Sequence, residues 1–205
     1  MKKLTLLQTL IHIGSLFSLA KLFFDYFTNN LSPNPIQDLE QQTGFAAITL
    51  LILSLATTPL RTLFNWKAPS KHRRALGLYA FLYATLHVTI YLAIDYAFDL
   101  NLLIEATLEK RYTLIGTIGY LLLIPLAITS YKWGMKKVGK NWKKLHRLVY
   151  LIAPMLILHF AWARKGDIFS LQGNVLQPFI YALLVILFLV LRIPAIRKKI
   201  ISLRK

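Results

Sequence analysis

The chain of 205 residues contains no cysteine. That excludes disulfides, thiolate–metal sites, iron–sulfur clusters and the C-x-x-C-H attachment of c-type haem. Any redox centre has to be held by His, Met or contacts to a flavin. Acidic residues are scarce, with 8 Asp and Glu against 25 Lys and Arg. No internal repeat, low-complexity tract or interdomain linker is read along the chain, and no stretch is left over for a soluble catalytic domain.

What fills the sequence is apolar. Hydrophobic residues make up 56% of it and the mean hydropathy is +0.52, beyond the usual range of a soluble domain. A membrane span needs roughly 20 mainly apolar residues, and six stretches are expected to provide one: about 6–27, 44–60, 75–97, 112–131, 146–163 and 175–193. The first has no small-residue cleavage site after it, so it is read as a span and not as a signal peptide. The expected architecture is one all-α membrane domain over residues 1–205, a six-helix bundle with short loops. Pro125 and Pro154 fall inside spans, where the carbonyls they free need other partners.

The formal charge of +17 is distributed by side. Twenty of the twenty-five basic residues fall on one set of loops: Lys2 and Lys3, Arg61 to Arg74, Lys132 to Arg147, and Arg192 to Lys205. All eight acids (Asp25, Asp38, Glu40, Asp95, Asp99, Glu105, Glu109 and Asp167) fall toward the other. The positive-inside rule makes the basic side cytoplasmic, with both termini inside. Topology and attraction to anionic membrane lipid account for the surplus, and no nucleic-acid partner is expected.

Among polar residues at membrane depth, histidine carries the information. There are five: His12, His72, His87, His146 and His159. His87 lies fourteen residues past Arg73, about 21 Å along its helix, and His159 lies about 20 Å beyond His146. His87 and His159 are therefore expected at one level on two helices, with His146 nearer the basic side. Two imidazoles facing each other at one level suit the axial positions of a haem iron. Hydrogen-bonding core histidines, and for His146 a snorkelling interfacial residue, are the structural alternatives. On an ideal helix His146 and His159 stand about 220° apart, so either Pro154 distorts the helix or the two sites approach it from different sides.

The segments "NPIQDLEQQTGFAAITLLILSLATTPLR", "RRALGLYAFLYATLHVTIYLAIDY", "PLAITSYKWGMKKVGKNWKKLHRLVYL" and "LHFAWARK" resemble the MsrQ (YedZ) family of haem-binding inner-membrane proteins, within the ferric reductase-like transmembrane group. The resemblance runs in order over nearly the whole chain. It departs at "EKRYTLIG", where the family tends to have R-P-Y, a change expected to affect an outer loop more than a cofactor. The resemblance implies b-type haem, one or two, with His87, His159 and His146 as axial ligands. It also implies FMN, a cytoplasmic flavin reductase or the quinone pool as donor, and a periplasmic MsrP-like molybdopterin reductase as acceptor, for repair of methionine sulfoxide in oxidised proteins. The wider group usually has a histidine pair on each of two helices, and Arg73 stands where the fourth would be. His12 is the favoured partner for His146, and His72 is read as a loop residue. Arg73 and Arg74 are candidates for haem propionates or a flavin phosphate, topology being the alternative for Arg74.

The expected function is a multi-pass electron conduit in the bacterial inner membrane. A ferric or other metal reductase, or a quinone-linked cytochrome b with a different acceptor, is the alternative. A proton channel or transporter lacks the membrane-depth carboxylates it would need, and a non-catalytic anchor leaves depth-matched histidines unexplained.

Overall fold

The centre of the structure is a helix of 30 residues, α2 (Pro35–Phe64), preceded by α1 (Leu6–Phe27). The structure is a computed structural model that describes residues 5–166 and 171–203. Lys2, Lys3, Asp167, Arg204 and Lys205 lie outside the described residues. The α2 helix starts nine residues before the expected span. Asn34 caps it, its side chain accepting from the Gln37 N–H, and Pro35 sits in the first turn, where its missing N–H costs nothing. The Asn–Pro pair thus starts a helix and does not prolong the loop. Ala46, Ile48, Leu50, Leu51, Ile52 and Leu55 of α2 are buried in the core, against the helices over 73–90, 149–163 and 176–190.

A short 3-10 turn at Pro69–Lys71 leads into α3 (Arg73–Ile90), which ends in one π turn, Tyr91–Asp95. The next helix, α4 (Leu100–Glu109), falls where only a loop was expected. Asp99 caps it by accepting from the Asn101 and Leu102 N–H groups, and it turns Leu103 and Ala106 inward while Leu100, Leu102, Ile104 and Leu108 stay exposed. Lys110 ends α4 and opens α5 (Arg111–Ile128). Arg111 takes the first position of α5, the place proline favours, so the departure from R-P-Y leaves the helix start intact.

After α6 (Lys132–Val138) the chain makes two more 3-10 turns, Gly139–Asn141 and His146–Leu148, around α7 (Trp142–Leu145), then runs through α8 (Val149–Ala163). Pro154 lies within α8 without ending it. The irregularity falls at His146 itself. A 3-10 turn advances about 120° per residue where an α-helix advances about 100°, so three such residues bring His146 about 60° closer to the face of His159. Last come α9 (Leu176–Val190) and α10 (Pro194–Leu203), bent by 79° at the turn between them. Among the described residues, five helical segments are long and apolar enough to cross a membrane, and six when α9 and α10 count as one broken span. Large apolar side chains such as Phe17, Phe24, Leu151 and Ile186 face outward, as a lipid solvent permits. The α1 helix is tied on by Tyr83, which is 1% exposed. Its hydroxyl donates to the Ser15 carbonyl at 2.6 Å and accepts from the Leu19 N–H at 2.9 Å.

Candidate functional site

His87 on α3 and His159 on α8 face one another with ring centroids 6.0 Å apart and planes at 78°. The Nδ1 of His87 is 2.9 Å from the Glu40 carbonyl oxygen on α2, and the Nδ1 of His159 is 2.7 Å from that of Tyr112 on α5. A carbonyl can only accept, so each Nδ1 carries the proton and donates it. Each Nε2 then keeps its lone pair. A ring nitrogen fixed to a backbone carbonyl is the usual support of a metal-ligating histidine, orienting the ring and raising its basicity.

Glycine makes both approaches possible. A Cβ on Gly44 would lie 3.3 Å from the His87 Nδ1, and one on Gly116 only 2.6 Å from the His159 Nδ1. Each glycine follows the accepting carbonyl by four residues, one helical turn. Each histidine follows that carbonyl by 47 residues. Glu40, Gly44 and His87 therefore recur 72 residues later as Tyr112, Gly116 and His159. The helix pair α2–α3 and the helix pair α5–α8 hold their histidines identically. This repetition was not legible as a repeat along the chain; its signal is the shared 43-residue interval from glycine to histidine.

The donor set suits haem iron. A metal held by side chains alone ordinarily takes three or more protein ligands, and among the described residues no group of three or more His, Asp or Glu gathers to hold one. Two neutral imidazoles are what an iron needs when a porphyrin supplies its other donors. A spacing of 6.0 Å between ring centroids leaves room for one ion reached from both sides by nitrogen–metal bonds of about 2 Å. The side-chain Oε1 of Glu40, the residue whose carbonyl holds His87, is buried without a partner. Such an atom is rare in a finished core.

At the basic end His146 is held differently. Its ring packs on Trp142 at 4.3 Å between centroids, and its Nε2 is 3.1 Å from the Thr129 Oγ1. The Thr129 hydroxyl gives its proton to the Pro125 carbonyl at 2.6 Å, so it accepts from His146, and the nitrogen left with a lone pair is Nδ1. His146 lines a cavity of about 290 Å³ with Trp142, Arg73, Arg74, Gly77 and Phe81. No second histidine lines it. His12, the favoured partner, is turned to Tyr79, its Nδ1 2.8 Å from that hydroxyl. His72 sits in the turn before α3, its N–H bonded to the Pro69 carbonyl. The Arg74 guanidinium lies over the Tyr131 ring, 5.7 Å from its centroid. Arg73 lines this cavity and a second one beside it.

A family model described as ferric reductase like transmembrane component matches residues 43–157, a segment that includes His87 and His146 and stops just short of His159. The chain is 38% identical over 192 residues to a protein-methionine-sulfoxide reductase heme-binding subunit MsrQ of Herminiimonas arsenicoxydans, covering 93% of this chain and 86% of that one. MsrQ of Xanthomonas axonopodis pv. citri is 36% identical over 78% of this chain and 77% of its own. MsrQ of Bordetella pertussis is 33% identical over 92% and 89%.

Proposed function

The chain belongs to the MsrQ family of the ferric reductase-like transmembrane proteins, and we propose that it is an electron-transfer subunit holding b-type haem between His87 and His159. One observation carries this: two half-buried imidazoles face each other, each with Nδ1 bonded to a backbone carbonyl and Nε2 open. A haem bound there would supply one-electron redox chemistry. The protein's part is to present two oriented nitrogens, to enclose them among apolar helices that exclude water, and to hold the two helix pairs at a fixed distance.

The basic end, assigned to the cytoplasm by the positive-inside rule, is the donor side. The cavity of His146, Trp142, Arg73 and Arg74 is apolar along its walls and cationic at its edge, which suits a quinol, or the FMN of a cytoplasmic flavin reductase. The acidic end then faces the periplasm, where Asp38, Glu105 and Glu109 meet an MsrP-like molybdopterin reductase. The protein lies in the bacterial inner membrane with both termini cytoplasmic, as one domain over 1–205. A single haem is favoured, since only the histidine pair has Nε2 open on both sides.

The test is the visible spectrum of the detergent-purified protein from haem-replete cells, before and after dithionite. A Soret band that sharpens on reduction is expected, and its low-spin signal should vanish in His87→Ala and in His159→Ala. Absence of a Soret band overturns the proposal; survival of the signal in either variant overturns the pairing.

A further inference from the structure

At the basic end a second cavity, of about 410 Å³, lies between the ends of α2, α3, α8, α9 and α10. Arg61, Arg73, Arg192 and Arg197 line it with Ser70 and Tyr150, and among the described residues its lining contains no carboxylate. The guanidinium groups of Arg73, Arg192 and Arg197 around one space favour an anion among them.

The fold builds this arrangement. Pro59 has no N–H, so the Leu55 carbonyl one turn earlier loses its helical partner. The Arg192 Nη2 takes that carbonyl at 2.6 Å, and its Nη1 reaches the Tyr150 hydroxyl at 3.2 Å. The Arg192 Nε stays buried with no partner. An arginine anchored on two sides holds its guanidinium at the cavity wall in one orientation.

The surroundings say what kind of anion. The 79° bend swings α10 away from the direction of α9, and its two sides differ. Ile196, Ile200 and Ile201 are half-buried, whereas Arg197, Lys198 and Lys199 are exposed. A basic amphipathic helix leaving the end of a span lies along the membrane surface. Side chains next in the chain to the cavity's lining are apolar and exposed: Leu151 after Tyr150 and Ile193 after Arg192. The cationic cavity thus sits at the basic end of α8 and α9, whose outward side chains, Leu151 and Ile186 among them, are apolar. Basic pockets between helices on the cytoplasmic side hold anionic lipid head groups, and guanidinium matches a phosphate in two-pronged geometry.

We propose that this cavity is a binding site for an anionic phospholipid, with its phosphate among Arg73, Arg192 and Arg197 and its chains along the apolar flank of α8 and α9. The site is independent of what the histidine pair holds.

Native mass spectrometry of the detergent-purified protein tests it, with phosphatidylglycerol, phosphatidylcholine, inorganic phosphate and FMN as probes. Phosphatidylglycerol should be retained at least tenfold better than phosphatidylcholine. That preference should be lost in Arg192→Gln/Arg197→Gln and kept in Lys198→Gln/Lys199→Gln, which removes equal charge outside the cavity. Because Arg192 also braces α2, Arg197→Gln alone serves as the variant that spares the fold and should lower the preference several-fold. Equal retention of the two lipids, or equal loss in the lysine variant, overturns the proposal. Displacement of phosphatidylglycerol by inorganic phosphate or FMN at millimolar concentration also overturns it, in favour of a soluble phosphate ligand.

Discussion

In the α2–α3 pair His87 hangs from the Glu40 carbonyl over Gly44, and in the α5–α8 pair His159 hangs from the Tyr112 carbonyl over Gly116. At the other end the pairs part. Thr57 and Thr129 also stand 72 residues apart, but the Thr57 hydroxyl donates to the Ser54 carbonyl of its own helix, while the Thr129 hydroxyl additionally accepts from His146. Seventy-two residues before His146 stands Arg74, next to Arg73. One scaffold used twice yields a matched pair of imidazoles at the acidic end. At the basic end it yields a histidine facing arginines. Symmetry serves a ligand bound from two sides, and its loss serves a one-sided task such as receiving a donor or an anion.

The largest effect that can break this comparison belongs to the histidines. Either alanine variant removes one of the two proposed axial nitrogens, so both should lose the low-spin signal equally. The glycines come next, and they should differ. An added methyl at position 116 would stand 2.6 Å from the His159 Nδ1 and 2.7 Å from its Cε1, against 3.3 Å and 3.4 Å for position 44 and His87. Gly116→Ala should therefore push His159 off the Tyr112 carbonyl and weaken haem retention by 10- to 100-fold, the scale of lost outer-shell support. Gly44→Ala should keep haem and only shift its potential. Haem titration of the two apo-variants checks this, and equal retention in both would count against glycine as the cradle of the rings.

His146→Ala sharpens the difference between the ends. With its Nε2 given to Thr129 and its ring on Trp142, His146 should be dispensable for the dithionite-reduced haem spectrum. It should still matter for electron entry, slowing reduction by a flavin or quinol donor about tenfold, a barrier change of about 1.4 kcal/mol. Stopped-flow reduction followed at the Soret band reads the rate, and the haem-to-protein ratio reads the stoichiometry. A halved ratio would place a second haem at His146 and contradict the single-haem proposal.

The level of His87 and His159 is legible in the sequence because a helix rises a constant distance per residue, so loop charge and residue count together estimate depth. What holds the rings is not legible that way. The accepting groups are backbone carbonyls of Glu40 and Tyr112, and any residue supplies a carbonyl; only the glycine one turn on leaves a trace. The early start of α2 was hidden because Asn34–Pro35 reads equally as turn or cap, and the helix beyond it places Glu40. The α4 helix was hidden because a short amphipathic helix outside the spans adds little to a hydropathy pattern. The turn of His146 toward the face of His159 comes from a 3-10 segment, which no proline or glycine at residues 146–148 announces.

His12 carries the smallest expected effect and tests the basic end most directly. Sequence reasoning favoured it for the place opposite His146, but its Nδ1 is committed to the Tyr79 hydroxyl at 2.8 Å, with the two rings edge to face at 5.7 Å. The α1 helix is also held by Tyr83 to Ser15 and Leu19, so losing one further bond should leave it in place. His12→Ala should cost about 1 kcal/mol, the ordinary net worth of a hydrogen bond. Haem spectrum, stoichiometry and donor rate should not change. Tyr79→Phe should cost about the same, and the double variant little more than either, because both singles remove one interaction. If His12→Ala instead lowers haem content or donor rate while Tyr79→Phe does not, then His12 leaves Tyr79 to serve a cofactor, and the basic end is closer to symmetric than its arginines suggest.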